Sequence, residues 1–360
     1  MGARILFLAM NLNSGGAERQ MVSTAVALQR CGYTVSFVCY DKGDFFESTL
    51  IGAGIKITWI IEQRSIVRLL KFRRYIRTGH YDIVVSFLET ANILNLFAAI
   101  GLKRWGIITG ERSSRKENLL SLRGHIVAIM QSWSNAIVCN SYNAKSMWES
   151  VYPGLKSKLT VIYNGIEVEE IRSDHDHSRG VLKIVVAASY RAEKNPINLI
   201  EAIGLMDEHS RSRIQIEWFG AYDFPGSVYE QCRSRVMQLS LSSVIHLNGP
   251  TKEISRYMAE ADFVALFSKY EGLPNSICEA MMLGKPIIMT KVSDYSTIVR
   301  DNGFLCDSDD PEGIRAVIEQ AINITTAACV KMGDQSKRIA ESLFSSKKSI
   351  DSWVELSDRL

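Results

Sequence analysis

The stretch KYEGLPNSICEAMMLGKP, residues 269–286, sets two carboxylates, Glu271 and Glu279, on either side of a Gly-Leu-Pro-Asn-Ser turn that runs into an apolar helix. An ionised carboxylate accepts hydrogen bonds from vicinal hydroxyls and stabilises positive charge developing on a neighbouring carbon, so paired acids of this kind suit chemistry on polyols. Ser276-x-x-Glu279 also fits a capping box, in which Glu279 would steady the helix start by on the order of 1 kcal/mol. Glu271, out on the loop, has no such structural duty.

A second constellation lies in ASYRAEKNPINLIEAI, residues 188–203, where Arg191 and Lys194 precede a helix that Asn195 is placed to cap with Pro196 at its first position. Two cations beside a helix N-terminus suit a diphosphate better than a single carboxylate, the alternative being a solvated turn. In NLNSGGAERQM, residues 11–21, Gly15 and Gly16 would let the backbone approach a phosphate just ahead of a helix's unpaired N–H groups. Their spacing fits neither G-x-G-x-x-G nor a P-loop, and a plain tight turn explains them equally well.

Asp307-x-Asp309 in CDSDD (306–310) resembles a metal-binding pair, but Asp309 or Asp310 more simply caps a helix beginning at Pro311. No histidine pair has zinc-ligand spacing; His175 and His177 sit in a polar linker, and His80, His125, His209 and His246 read as surface or satisfied core residues. The seven cysteines are scattered without a C-x-x-C and read as buried thiols.

These loops must be carried by something. Runs rich in β-branched residues at 4–10, 34–40, 55–60, 82–88, 106–110 and 136–140 alternate with helical patterns, which predicts a parallel, doubly wound sheet. After the charged, aperiodic stretch 168–180 a second series follows at 182–189, 214–220, 244–249, 262–268, 285–290 and 303–306. The expected architecture is two α/β domains, 1–166 and 167–345, with 346–360 a helix crossing back to the first. In such sheets ligands sit beyond the carboxyl ends of strands, which is where the loops above fall.

Charge separates the halves. Residues 1–166 hold 20 Lys and Arg against 10 Asp and Glu, and the remainder 22 against 29, within a chain of net charge +3. A basic first half implies an anionic partner. Its segment RSIVRLLKFRRYIRTGH (64–80) reads either as a basic amphipathic helix for an anionic membrane surface or as an ordinary outer helix. GLKRWG (101–106) and ERSSRKENLLSLRG (111–124) add cations. No nucleic-acid module or stacking platform appears. MGARILFLAM lacks a secretory pattern and ANILNLFAAIGL (91–102) is too short to span a bilayer, so the expectation is a cytoplasmic protein, peripheral on the inner face of the membrane.

EGLPNSICEAMMLGKPII resembles the retaining glycosyltransferases of family 4, with their E-x7-E pattern at Glu271 and Glu279. GGAER, IYNGIE, YRAEKNPINLIEAI, EADFVALFSKYEGLP and VRDNGFLCDSDDPEGI extend the likeness over nearly the whole chain in the expected order. The resemblance implies a GT-B fold of two Rossmann-like domains facing a central cleft, a UDP-sugar donor and no required metal. It implies that Arg191 and Lys194 bind the donor diphosphate, Glu279 the ribose, and Glu271 the donor sugar near its reacting carbon. Gly272, Leu273, Pro274, Asn275 and Ser276 would line the sugar and phosphate, and Gly15 and Gly16 would approach the leaving phosphate, with Glu271 and Gly16 taken as catalytic. Where many relatives carry a histidine after the fifth strand, this chain has Glu111 and Arg112, candidates for the acceptor or the donor sugar. The implied acceptor is a polyprenyl-diphosphate-linked oligosaccharide of surface-polysaccharide assembly. A nucleotide-sugar epimerase on the same fold is the rival enzyme. A two-domain solute-binding protein would need export and has no use for the Arg191 and Lys194 pair.

Overall fold

The computed structural model describes residues 2–13, 15–112, 116–169, 171 and 180–360; His175 and His177 lie outside them. The chain divides into two compact units, one of Met1–Gly165 with Ser346–Leu360, the other of Ile166–Ser345.

The first unit holds strands β1 (Arg4–Ala9), β2 (Thr34–Cys39), β3 (Lys56–Trp59), β4 (Ile83–Phe87), β5 (Gly106–Glu111), β6 (Ala136–Cys139) and β7 (Leu159–Val161). They form one parallel sheet in the order β3-β2-β1-β4-β5-β6-β7. Helices cover both faces, so the central strands are buried along their length rather than alternating. Phe7 and Phe37 stack with ring centroids 5.3 Å apart inside one of the resulting cores.

The second unit holds β8 (Leu182–Ala187), β9 (Ile214–Phe219), β10 (Ile245–Asn248), β11 (Phe263–Leu266), β12 (Ile287–Thr290) and β13 (Gly303–Cys306). Its sheet is also parallel, in the order β10-β9-β8-β11-β12-β13. In each unit the chain order reverses beside the first strand, between β1 and β4 and between β8 and β11, which makes the topological switch point of a doubly wound sheet. The units share a device there. Asp82, just before β4, accepts from the Arg4 backbone N–H at 2.7 Å, and Asp262, just before β11, accepts from that of Lys183 at 2.8 Å.

The last helix, Ser346–Asp358, packs on the first unit. Trp353 is buried with its ring centroid 6.0 Å from that of Phe87, the Tyr33 hydroxyl bonds Asp358, and Ser349 donates to the Tyr163 carbonyl at 2.9 Å.

The basic segment 64–80 forms the helix Ser65–Thr78, and several of its cations serve packing. Arg73 donates to the Phe97 and Ile100 carbonyls at 3.0 and 2.8 Å, and Arg77 donates to those of Ala98 and Ile100, so both satisfy the end of the helix Glu89–Ala99. Lys71 pairs with Glu62 at 2.7 Å. Six cysteines are buried as expected, but Cys31 is exposed because it falls at the C-terminal cap of the helix Gly16–Arg30.

Candidate active site

In the second unit, β8 and β11 are neighbours, so the loops beyond their carboxyl ends emerge side by side. The first is anchored by Tyr190, which is fully buried and whose hydroxyl lies 3.1 Å from the carbonyls of both Trp218 and Asn248. Its ring packs on Trp218 and Tyr229, and the Trp218 indole donates to the Ala188 carbonyl at 2.7 Å. Gly220 permits this approach, since a Cβ there would lie 1.9 Å from the Ala188 oxygen. Arg191 follows with its guanidinium 4.6 Å from the centre of the Phe224 ring. A single helical turn, Ala192–Lys194, then delivers Lys194.

The second loop carries Glu271. Lys194 Nζ donates to Glu271 Oε1, which also accepts from Ser268 Oγ at 2.6 Å. The backbone joins the two loops as well, the Lys269 N–H donating to the Glu193 carbonyl at 2.8 Å. Two residues absent from the sequence reading hold the Glu271 loop from β12 and its following turn. Thr290 Oγ1 donates to the Ser268 carbonyl at 2.6 Å, and Ser293 Oγ to that of Gly272 at 2.5 Å. Both are buried, and their only signal in the sequence is a polar residue at and just beyond the end of a strand.

The helix beyond Glu271 runs Asn275–Met282 with Pro274 at its N-cap and no side chain capping it. The Pro274 carbonyl already accepts from Ile277 and Cys278, so Ser276 lies inside the first turn and Glu279 beyond it. The capping box therefore does not form. Asn275, Ser276 and Glu279 instead share the partly exposed side of the helix, while Ile277, Cys278, Ala280 and Met281 are buried. Asn195 sits at the N-cap of Pro196–Gly204 in the left-handed region and also leaves that helix uncapped, because its amide donates to the Ser308 carbonyl at 2.7 Å. Two helix N-termini without side-chain caps thus flank Lys194 and Glu271 in sequence, and such ends favour anions.

Gly272, Leu273 and Pro274 are buried at the turn. Lys285, in the same motif, is structural: its ammonium donates to the Ala261 carbonyl at 3.0 Å. Asp307 and Asp309 do not converge; they pair with Lys291 at 3.1 Å and Lys269 at 3.3 Å respectively. Asp310 occupies the N-cap position before Pro311 but makes no side-chain cap bond. Among the described residues no cluster of three His, Cys, Asp or Glu is placed to hold a metal ion.

In the first unit, Gly15 is the N-cap and Gly16 the first residue of the helix that follows β1. Gly15 has φ −77°, so it is not there for a left-handed turn. Glu111 ends β5 and accepts from Asn92 Nδ2 at 3.2 Å and Gln131 Nε2 at 3.1 Å. Behind it runs a buried polar chain in which Ser86 donates to Asn92 at 2.9 Å, Asn95 to Ser86 at 3.1 Å, and Thr109 to Gln131 at 2.7 Å. Burial, with the nearby Glu89, raises the Glu111 carboxyl to about 7 against the lowering effect of those amides and Arg112. Burial likewise lowers Arg112 to about 10. The Arg112 guanidinium lies 3.8 Å from the Phe87 ring centre and donates to Asn164 Oδ1 at 2.6 Å.

Residues 14–170 match the family model described as Glycosyltransferase Family 4, and residues 167–339 that described as Glycosyl transferases group 1. The chain is 23% identical over 335 residues, 89% of either chain, to the GalNAc-alpha-(1->4)-GalNAc-alpha-(1->3)-diNAcBac-PP-undecaprenol alpha-1,4-N-acetyl-D-galactosaminyltransferase of Campylobacter jejuni. It is 22% identical to an uncharacterized glycosyltransferase of Haemophilus influenzae, over 97% of this chain and 98% of that one. Its fold is that of Anabaena HepE, crystallised with UDP-glucose, with TM-score 0.87 at 18% identity over 99% of this chain and 100% of that one. A sucrose-phosphate synthase of Thermosynechococcus elongatus superposes with TM-score 0.81 at 13% identity, over 99% and 98% of the two chains.

Proposed function

The chain belongs to the family 4 type of glycosyltransferases with the GT-B fold, and we propose that it moves a hexose or N-acetylhexosamine from UDP to a lipid-carried oligosaccharide with retention of configuration. The observation that carries this reading is the Lys194 to Glu271 pair at the switch point of the second unit, each residue followed in sequence by a helix whose N-terminus has no side-chain cap. An ammonium has three donors; one serves Glu271, and the others are free to take phosphate oxygens. The likeness to HepE, crystallised with UDP-glucose, supports the donor, and the name of the Campylobacter relative, which specifies an undecaprenyl-diphosphate glycan, supports the acceptor.

In this reading Lys194, Arg191 and the helix N-termini stabilise the departing UDP, without a metal ion. The bond from the sugar's C1 to the β-phosphate oxygen breaks with its electron pair leaving on UDP, and an acceptor hydroxyl oxygen bonds C1 on the same face as its O–H bond breaks, the proton passing to the departing β-phosphate oxygen. Glu271, oriented by Lys194 and Ser268, stabilises the positive charge that develops at C1. Glu279 takes the ribose hydroxyls, and Gly16 approaches the leaving phosphate. Glu111 and Arg112 serve the acceptor or the donor sugar. The product would enter assembly of a surface polysaccharide such as an O-antigen or capsule, at the inner face of the cytoplasmic membrane.

The test is incubation with a panel of nucleotide sugars and a bacterial lipid extract, with products read by mass. A glycolipid heavier by one hexose or N-acetylhexosamine, absent with Glu271→Ala, is expected. Full activity in that variant, or a new nucleotide sugar formed without acceptor, overturns the reading.

A further inference from the structure

Among the described residues, the densest run of exposed large apolar side chains is not on the basic helix Ser65–Thr78. It lies on the helix Leu122–Gln131 and the turn after it. Leu122, Ile126, Ile129 and Trp133 recur at i, i+4, i+7 and i+11, on one side of the helix, and are 81, 52, 68 and 42% exposed. The opposite side, with Val127, Ala128 and Gln131, is buried in the unit. The stripe therefore runs roughly 16 Å along the surface. A continuous apolar face of this kind is uncommon on a protein that stays free in water.

The Trp133 end of the stripe is cationic. Lys103 donates to the Trp133 carbonyl at 3.0 Å, and Lys158 donates to those of Ser132 and Ser134 at 2.6 and 2.7 Å, so two ammonium groups stand at the Trp133 end. Arg104 is exposed next to Lys103; on the short helix leading into the stripe Lys116 is exposed beside Glu117, and Arg123, on the stripe helix itself, pairs with Glu89. From Asn118 to Trp148 the chain contains no acidic residue. Apolar side chains rimmed by Lys and Arg, with a tryptophan at one end, match the boundary between phosphate headgroups and acyl chains. A second copy of this chain is a poor occupant, because two-fold pairing would bring the same cations against each other.

We propose that this face, Leu122 to Trp133 with its rim of Lys103, Arg104, Lys116 and Lys158, docks the protein on an anionic phospholipid bilayer. The proposal rests on the reading that the acceptor is carried on a lipid, and it assigns the membrane contact to a surface. The helix Ser65–Thr78, which exposes two large apolar side chains, Ile66 and Leu70, where this face exposes four, is not the principal anchor.

The full chain is sedimented with phosphatidylcholine vesicles, with or without phosphatidylglycerol. Binding is expected with phosphatidylglycerol, weakened at least about tenfold by high salt, and weakened at least about tenfold by Ile126→Ser with Ile129→Ser. Ile66→Ser with Leu70→Ser is expected to leave it within about twofold. All four positions are exposed, and circular dichroism checks that the variants fold. No binding by the wild type, equal binding by the Ile126/Ile129 variant, or a dimer in light scattering that this variant alone dissolves without any vesicle binding overturns the proposal. Transfer to a detergent-dispersed acceptor is read separately. Its loss would remove the functional reading while leaving the vesicle result intact, and the converse also holds.

Discussion

The ammonium of Lys194 donates to the carboxylate of Glu271 across 77 positions of sequence, because β8 and β11 are neighbours in the sheet and their loops leave it side by side. Both side chains are largely buried, 23 and 12% exposed, so the pair is held more firmly than a surface ion pair. If Lys194 takes phosphate with its remaining donors, Lys194→Ala should weaken UDP binding by about 10–100-fold, the loss of one or two charge-assisted hydrogen bonds. Glu271→Ala removes no phosphate donor. It should leave UDP affinity within about threefold and cut transfer about 100–1000-fold. Calorimetric titration with UDP separates the two, and equal losses of affinity would show that Glu271 only positions Lys194.

Thr290 and Ser293 hold the Glu271 loop through the carbonyls of Ser268 and Gly272. Thr290→Val keeps the shape and removes the donor, stranding a buried carbonyl at a cost of about 1–3 kcal/mol. The expected result is a fall in kcat larger than the change in KM, with a thermal midpoint lower by a few degrees. A normal kcat would mean that the loop holds its geometry without this bond.

Twelve of the thirteen strands among the described residues were legible because β-branched runs in a parallel sheet are buried on both faces and stand out from the amphipathic helices between them, while β7, three residues at the sheet's edge, was too short to do so. The partnership of Lys194 with Glu271 was not, since it depends on strand order, which no local pattern encodes. The capping box failed because Pro274 starts the helix early, moving Ser276 inside it and Glu279 past the first turn. The segment NILNLF reads as an apolar helix, and nothing local shows that Asn92 and Asn95 turn inward to a polar chain ending on Glu111. The cations of Ser65–Thr78 looked free for an anionic surface because the carbonyls that Arg73 and Arg77 cap lie more than twenty residues away.

Glu111 makes a prediction with a definite sign. Its carboxyl is raised from 4.5 to about 7 by burial, so the folded protein favours the protonated form. Folding stability from this group is full below the unfolded value and is lost as pH rises through about 7. Glu111→Gln stays neutral and can still accept from Asn92 and Gln131. The variant should match the wild type in thermal midpoint near pH 5 and exceed it by several degrees near pH 8.5, an effect of at most about 3 kcal/mol. Parallel melting curves at the two pH values would show instead that Glu111 is ionised throughout.

The last helix supplies a core residue that its own unit cannot replace. Trp353 is 2% exposed and packs against Phe87, on whose other contacts Arg112 and the end of β4 depend. Removing a buried indole costs about 3–5 kcal/mol through lost burial and the cavity left behind. Trp353→Ala should therefore lower the unfolding midpoint of the first unit and leave UDP affinity, set by Lys194 in the second, within about threefold. Truncation after Ser345 should do the same more severely, since it also removes the Tyr33 to Asp358 and Ser349 to Tyr163 bonds. Hydrogen exchange resolves the outcome by region: faster exchange confined to β1, β4 and the helix Gly16–Arg30 is expected, and unchanged exchange there, with full transfer activity, would mean that the helix is dispensable.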